Sequence, residues 1–290
     1  MKKVFSLLLV LLMTFSMVAC DSENKTADNK SSQAVTSDAP IIFQEQVLVD
    51  NAQCKIQITG VEPEGEFGYT LNATLENKSA EKTYVFALTG SSVNGVIANS
   101  IFGMELAPGE KANEGIYIGD EELQEALGDF TDICLSFKVT DPEDWAAEPV
   151  AECTEHIYPL GKDKAKNYVR TPSDSDVVVA DNDNVTIIIT GYAQDDYYGY
   201  YTKLYLVNKT DATATFSADQ VSINGMMADP YFSTDLEAGE AVFTNIVWDV
   251  SFLEDNEMSK VEEISMVLFA YNADNWEGEY LANESVVLNP

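Results

Sequence analysis

The chain has 290 residues, 46% of them hydrophobic, and a formal net charge of -33. Such a surface repels nucleic acid and anionic headgroups, so no nucleic-acid partner is expected. His156 is the one histidine and Arg170 the one arginine, which excludes a two-histidine metal site or an arginine clamp on phosphate built from this chain. No phosphate-cradling glycine loop and no G-x-S-x-G elbow occurs.

At the start, Lys2 and Lys3 precede an apolar run from Val4 to Leu12, and the stretch closes on Met17-Val18-Ala19-Cys20. This layout predicts a secretory signal over residues 1–19, too short for a transmembrane helix. Its end resembles the lipobox of bacterial lipoproteins, with Met17 where that motif usually has Leu. The resemblance implies that Cys20 is the lipidation site, that its thiol receives a diacylglycerol, and that the preceding segment is removed. It also implies a membrane partner through the lipid anchor, on the extracytoplasmic face of the cell membrane. Two acyl chains would be needed, because one holds marginally and no polybasic helper is present. Residues 20–40 hold almost no apolar side chains, and are expected to be a disordered tether spanning roughly 24 Å on average.

Beyond the tether the sequence is written twice. Gly60 recurs as Gly191, Asn77-Lys78 as Asn208-Lys209, Asn94-Gly95 as Asn224-Gly225, Gly109-Glu110 as Gly239-Glu240, and Trp145 as Trp276. The near-constant offset predicts two copies of one domain, over residues 41–160 and 173–290, each long enough for its own core. Between them, residues 161–172 form a basic linker with Lys162, Lys164, Lys166 and Arg170. It reads either as an electrostatic strap between two acidic bodies or as a solvated connection.

Within each copy the hydrophobic period is two. Cys54, Ile56 and Ile58 alternate with Gln53, Lys55 and Gln57, and Tyr69, Leu71, Ala73 and Leu75 alternate with Thr70, Asn72, Thr74 and Glu76. Such alternation marks strands with one buried and one wet face. Asn-Gly at 94–95 and 224–225 predicts hairpin turns with positive φ. Further strands are expected at 99–106, 112–118, 132–140 and 153–158. One short helix is expected over Glu121 to Leu127, where Leu123, Ala126 and Leu127 share a face. About seven short strands per copy give an all-β fold of two tandem β-sandwiches. Asn-Lys-Ser/Thr, the middle Asn-Gly, Ala-x-Gly-Glu and the late Asp-Trp or Asn-Trp resemble an uncharacterised family of bacterial surface lipoproteins with tandem immunoglobulin-like domains. That resemblance implies architecture and location and transfers no catalytic residue.

Three cysteines remain after Cys20. Cys54 reads as a small buried hydrophobe, and a Cys54–Cys153 bridge is the alternative, with an odd thiol left over in either case. Trp145 and Trp276 follow acidic or amide loops and are expected to be structural caps, with a binding anchor as the alternative.

The copies differ where the first has Thr70 and Thr74 and the second has Tyr201 and Tyr205 beside Lys203, with Tyr197 and Tyr198 in the preceding turn. An aromatic platform next to Asp195 and Asp196 could stack on a sugar ring, and it equally suits a protein contact. The plainer alternative is that Tyr201 and Tyr205 simply pack together. Asp195 and Asp196 are the weak candidates for a calcium site, since EF-hand spacing is missing. These features lead to the expectation of a lipid-anchored envelope module without catalytic activity or cofactor, presenting its domains to a glycan or protein partner. The alternative is an accessory lipoprotein docking on a transport or wall-processing complex. Paired carboxylates could in principle hydrolyse glycosides, but no spacing selects a pair.

Overall fold

A computed structural model describes residues 40–290 except Asp120, Trp145 and Asp229. The expected signal, Cys20 and the tether up to residue 39 lie outside the described residues, as does Trp145.

The first copy runs through β1 (Gln46–Asp50), β2 (Cys54–Gly65), β3 (Gly68–Asn77), β4 (Tyr84–Val93), β5 (Val96–Ile97), β6 (Gly103–Leu106), β7 (Lys111–Tyr117), α1 (Glu121–Leu127), β8 (Ile133–Thr140) and β9 (Ala151–Ile157). The second runs through β10 (Val177–Asp181), β11 (Val185–Asp195), β12 (Gly199–Asn208), β13 (Ala214–Ile223), β14 (Met226–Met227), β15 (Ser233–Leu236), β16 (Ala241–Trp248), α2 (Val250–Asp255), β17 (Ile264–Asn272) and β18 (Ala282–Leu288). The protein is all-β, built from sandwiched sheets. The period-two pattern dictates this: in β8, Ile133, Leu135, Phe137 and Val139 are buried while the residues between them are not. The expectation of about seven strands per copy falls short of the nine found in each among the described residues, and the strands it missed include the two-residue β5 and β14. The expected strand at 99–106 begins only at Gly103, because Asn99 adopts φ 48° and breaks the run.

Each copy places two sheets around one apolar cluster. In the first, β1-β2-β3-β7 faces β5-β4-β8-β9, with β6 on β4. Ile56, Leu71 and Leu75 meet Phe86, Leu135 and Phe137 between them. In the second, β10-β11-β12-β16 faces β14-β13-β17-β18, with β15 on β13. There Ile187, Leu204 and Leu206 meet Phe216, Ile223 and Leu268. The duplication extends to irregularities: the ladder shifts between Ile58 and Gly60 and again between Ile189 and Gly191. Both Asn-Gly turns take positive φ at both residues, 52° and 81° at 94–95 and 50° and 76° at 224–225, the pair that a type I′ hairpin turn requires.

Fully buried asparagines recur as well. Asn208 Nδ2 donates to the carbonyls of Ala212, Leu236 and Glu237, and Asn77 Nδ2 donates to those of Lys82 and Leu106. These amides satisfy backbone acceptors where one sheet crosses to the other, which explains the asparagine that closes the strand in both copies. The lysine after it bonds the preceding turn, Lys78 at Asp50 and Asn51 and Lys209 at Asp181 and Asn182. Cys54, Cys134 and Cys153 are all free thiols, so the Cys54–Cys153 bridge is not made. Cys54 is buried on the core face of β2. Burial pushes the pKa of each of the three thiols up.

The copies are joined through a sheet. β5 pairs with β16 in parallel, Val96 opposite Ala241, so one nine-stranded sheet runs from β10 to β9. Tyr205 and Ala241 of the second copy are buried in the core cluster of the first, with Ile188, Val207, Phe243 and linker Tyr168 packed against it. The linker lysines do not make an electrostatic strap. Lys162 lies over the Tyr158 ring at 5.6 Å and Lys164 faces its neighbour Asp163 at 3.8 Å. Arg170 bonds Asp176 through both guanidinium nitrogens, at 2.5 and 2.6 Å, and stands 5.9 Å from the Tyr205 ring centroid. The attachment is aromatic and local: the Arg170–Asp176 pair is largely buried and ties the end of the linker to the start of the second copy, while the linker lysines contribute no pair across the two bodies among the described residues.

Candidate functional site

The β11–β12 hairpin carries the tyrosines singled out in the sequence. Asp195 organises the turn: its Oδ1 accepts from the backbone N–H groups of Tyr197 at 2.8 Å and Tyr198 at 2.5 Å, and its Oδ2 accepts from the Tyr201 hydroxyl. Aspartate suits this role because its short carboxylate reaches backbone N–H groups two and three residues on. The Tyr201 hydroxyl and these amides hold the Asp195 carboxyl below the usual aspartate range. Desolvation, followed by the facing Asp195, pushes Tyr201 up to about 12. Gly199 closes the turn at φ 107°, and a Cβ there would stand 2.1 Å from the Trp248 carbonyl oxygen.

Locked this way, the turn projects Tyr197 and Tyr198 outward, 78% and 61% exposed. Their rings meet edge to face with centroids 4.6 Å apart. Behind them lies a depression of about 360 Å³ between the hairpin and α2, lined by Asp195, Asp196, Leu253, Glu254 and Met258 among others. Both Asp195 oxygens are engaged by the turn. Among the described residues no group of three or more His, Cys, Asp or Glu side chains gathers for a metal ion.

The five predicted site residues do not form one platform. Tyr197 and Tyr198 stand at the hairpin tip, and Tyr201 is tied to Asp195. Lys203 donates to Glu122 of α1 at 2.9 Å, across a cleft of about 480 Å³ floored by Ile97, Leu204 and Phe243. Tyr205 is buried at the junction, 4.9 Å from Phe243 and 6.2 Å from Tyr168, centroid to centroid. Nor do Tyr201 and Tyr205 pack on each other: Tyr205 packs on the first copy. Trp276 is exposed, so it is not a cap, because the short 3-10 turn Ala273–Asn275 carries it away from the sheets.

A larger substitution pattern escaped the sequence reading. On the outer face of β2, β3 and β7, Gln57, Thr74 and Asn113 lie side by side, and Glu76 opposes Lys111. The same register positions in β11, β12 and β16 are Ile188, Tyr205 and Phe243, and Val207 opposite Ala241. A wet face in the first copy is therefore a dry docking face in the second. The signal lay in the fixed offset between copies, applied to every outward position rather than to the tyrosines alone.

No protein-family model and no curated protein matches the chain. Among solved structures, red sea bream transglutaminase matches with a TM-score of 0.22 and 10% identity, over 83% of this chain and 31% of the transglutaminase. This chain thus spans less than a third of that protein. Because the protein matched is an enzyme, the expectation of a chain without catalytic activity is withdrawn, and so slight a likeness assigns no activity in its place.

Proposed function

We propose that the protein is a lipid-anchored cell-envelope module that docks on a protein partner through the tyrosine hairpin of its second copy. Cys20 would carry the anchor on the extracytoplasmic face of the membrane. Residues 41–160 and 173–290 would be immunoglobulin-like domains, joined by residues 161–172. The observation that carries the reading is the pair Tyr197 and Tyr198, exposed on a turn whose conformation is fixed from beneath by Asp195. Rigid exposed tyrosines supply contact area at low entropic cost, as interface aromatics do.

A protein partner is favoured over a glycan on two grounds. The rings lie at 87° to each other and offer no coplanar platform for a sugar face. The Asp195 oxygens that could accept sugar hydroxyls are already occupied. Two experiments test the reading. Mass spectrometry of the native protein should find a diacylglycerol on Cys20, and an unmodified leading cysteine overturns the anchor. Chemical cross-linking in intact cells should join the protein to a defined envelope protein, and the Tyr197→Ser/Tyr198→Ser variant should lose that product while keeping its melting temperature. Retained cross-linking, or a glycan-array signal abolished by the same variant, overturns the protein reading.

A further inference from the structure

The two Asn-Gly turns are built alike, but only one of them is used within the chain. At the first, the Tyr168 N–H donates to the Asn94 carbonyl at 2.7 Å and the Ala241 N–H donates to the Gly95 carbonyl at 3.2 Å. Asn167 Oδ1 comes within 3.4 Å of where a Gly95 Cβ would stand. Directly behind this turn, β5 pairs with β16. Thus the first copy offers a turn with two carbonyl acceptors and a short apolar strand; the linker covers one carbonyl, and the second copy covers the other carbonyl and the strand.

The second turn repeats the offer. Met226 and Met227 stand on β13 in the register that Val96 and Ile97 hold on β4: Ile223 faces Met226 as Val93 faces Val96. The turn is anchored from beneath as in the first copy, with Asn224 Oδ1 accepting from Glu262 and Glu263 where Asn94 Oδ1 accepts from Thr131 and Asp132. Here, among the described residues, nothing covers it. A Cβ on Gly225 would meet no atom within 4 Å, and among the described residues no donor reaches the Asn224 or Gly225 carbonyl. Met226 and Met227 are 42% and 74% exposed.

We infer that β14 and its turn form a docking edge for another protein's sheet edge, a strand that pairs in parallel and carries aromatic and aliphatic side chains on its outer face. The chemistry of the occupant is given by the cover on the equivalent edge: an N–H donor at the position of Ala241, with Tyr205, Val207 and Phe243 around it. Strand addition to an exposed edge is a recurrent mode of recognition, in which backbone bonds supply affinity and side-chain contacts supply specificity. Methionine suits such a surface because its flexible thioether adapts to the partner.

A second copy of this chain does not fit as the occupant. Its β16 is already taken by its own β5, and the equivalent edge β7 is flanked by Gln57, Thr74, Glu76, Lys111 and Asn113. Two chains of charge -33 also repel. The inference draws on neither the tyrosine hairpin nor the lipid anchor, and it survives the failure of either.

The test uses the full chain with isotope-labelled methionine methyls. The probe is a cyclised hairpin peptide carrying residues 203–208 and 240–245 of this sequence in their native pairing, Tyr205 opposite Phe243. Saturable shifts are expected at the Met226 and Met227 methyls, and binding should weaken by about tenfold or more in the Met226→Asp/Met227→Asp variant. A hairpin carrying Tyr205→Thr and Phe243→Asn should fail on the unaltered chain, which keeps the test independent of whether the variant folds. Silent methyls up to millimolar peptide, or equal shifts with the polar hairpin, overturn the inference. So do concentration-dependent shifts of the same methyls without peptide, which would make the occupant a second copy.

Discussion

Replacing Tyr205 and Phe243 by their first-copy equivalents, as Tyr205→Thr/Phe243→Asn, should undock the two copies without unfolding either. Thr74 Oγ1 donates to Asn113 Oδ1 at 2.7 Å on the matching strands, so the fold itself shows that this pair suits the register. Tyr205 is almost fully buried and Phe243 is half-buried. Aromatic side chains bury 150–250 Å² each, so at about 25 cal/mol per Å² the pair loses roughly 5 kcal/mol of docking free energy after allowing for what Thr and Asn retain. That shifts the docked-to-undocked equilibrium by between three and four orders of magnitude, at about 1.4 kcal/mol per tenfold. Scanning calorimetry should then resolve two transitions where the unaltered chain gives one, and small-angle scattering should report a longer particle. A single unchanged transition together with an unchanged scattering curve would refute the aromatic account of the junction. If the unaltered chain instead came apart on adding salt, the linker charges would have been underrated.

Two further outcomes are expected. Asn208→Leu leaves three carbonyls without their amide donor, which should cost about 3 kcal/mol, read as a lower urea midpoint at constant slope. The depressed Asp195 carboxyl stabilises the hairpin at pH values above its ordinary 3.8, and that contribution is lost as pH falls through its lower folded value. Near-ultraviolet circular dichroism of the tyrosines should follow this loss. On the alkaline side the Tyr201 contribution is complete below 10.0 and lost as pH rises through about 12. Phenolate absorbance should show the late titration, and Asp195→Asn should bring it down.

Much of the fold was legible because it is written in alternation. The strand faces at 54–58 and 69–75, the positive-φ turns at 94–95 and 224–225 and the helix at Glu121–Leu127 follow from period and turn chemistry, which act locally. The site was less legible because exposure is not local. Tyr205 looks like Tyr201 along the strand, yet one is covered by the first copy and the other faces Asp195. Alternation says that a side chain leaves its own sandwich and is silent on what waits outside. The two-residue strands β5 and β14 carry no period at all, and their importance comes from what they pair with.

The single residue pair between β5 and β16 contrasts with the ladders inside each copy, such as the one that runs from Val185 to Asp195 along β12. Stretched from its ends, the chain would part at this junction well before any sandwich unravels. The linker of residues 161–172 would then pay out as slack, about 40 Å when taut. Under such a load the chain would have two lengths, and the aromatic contacts that let go could re-form once tension fell.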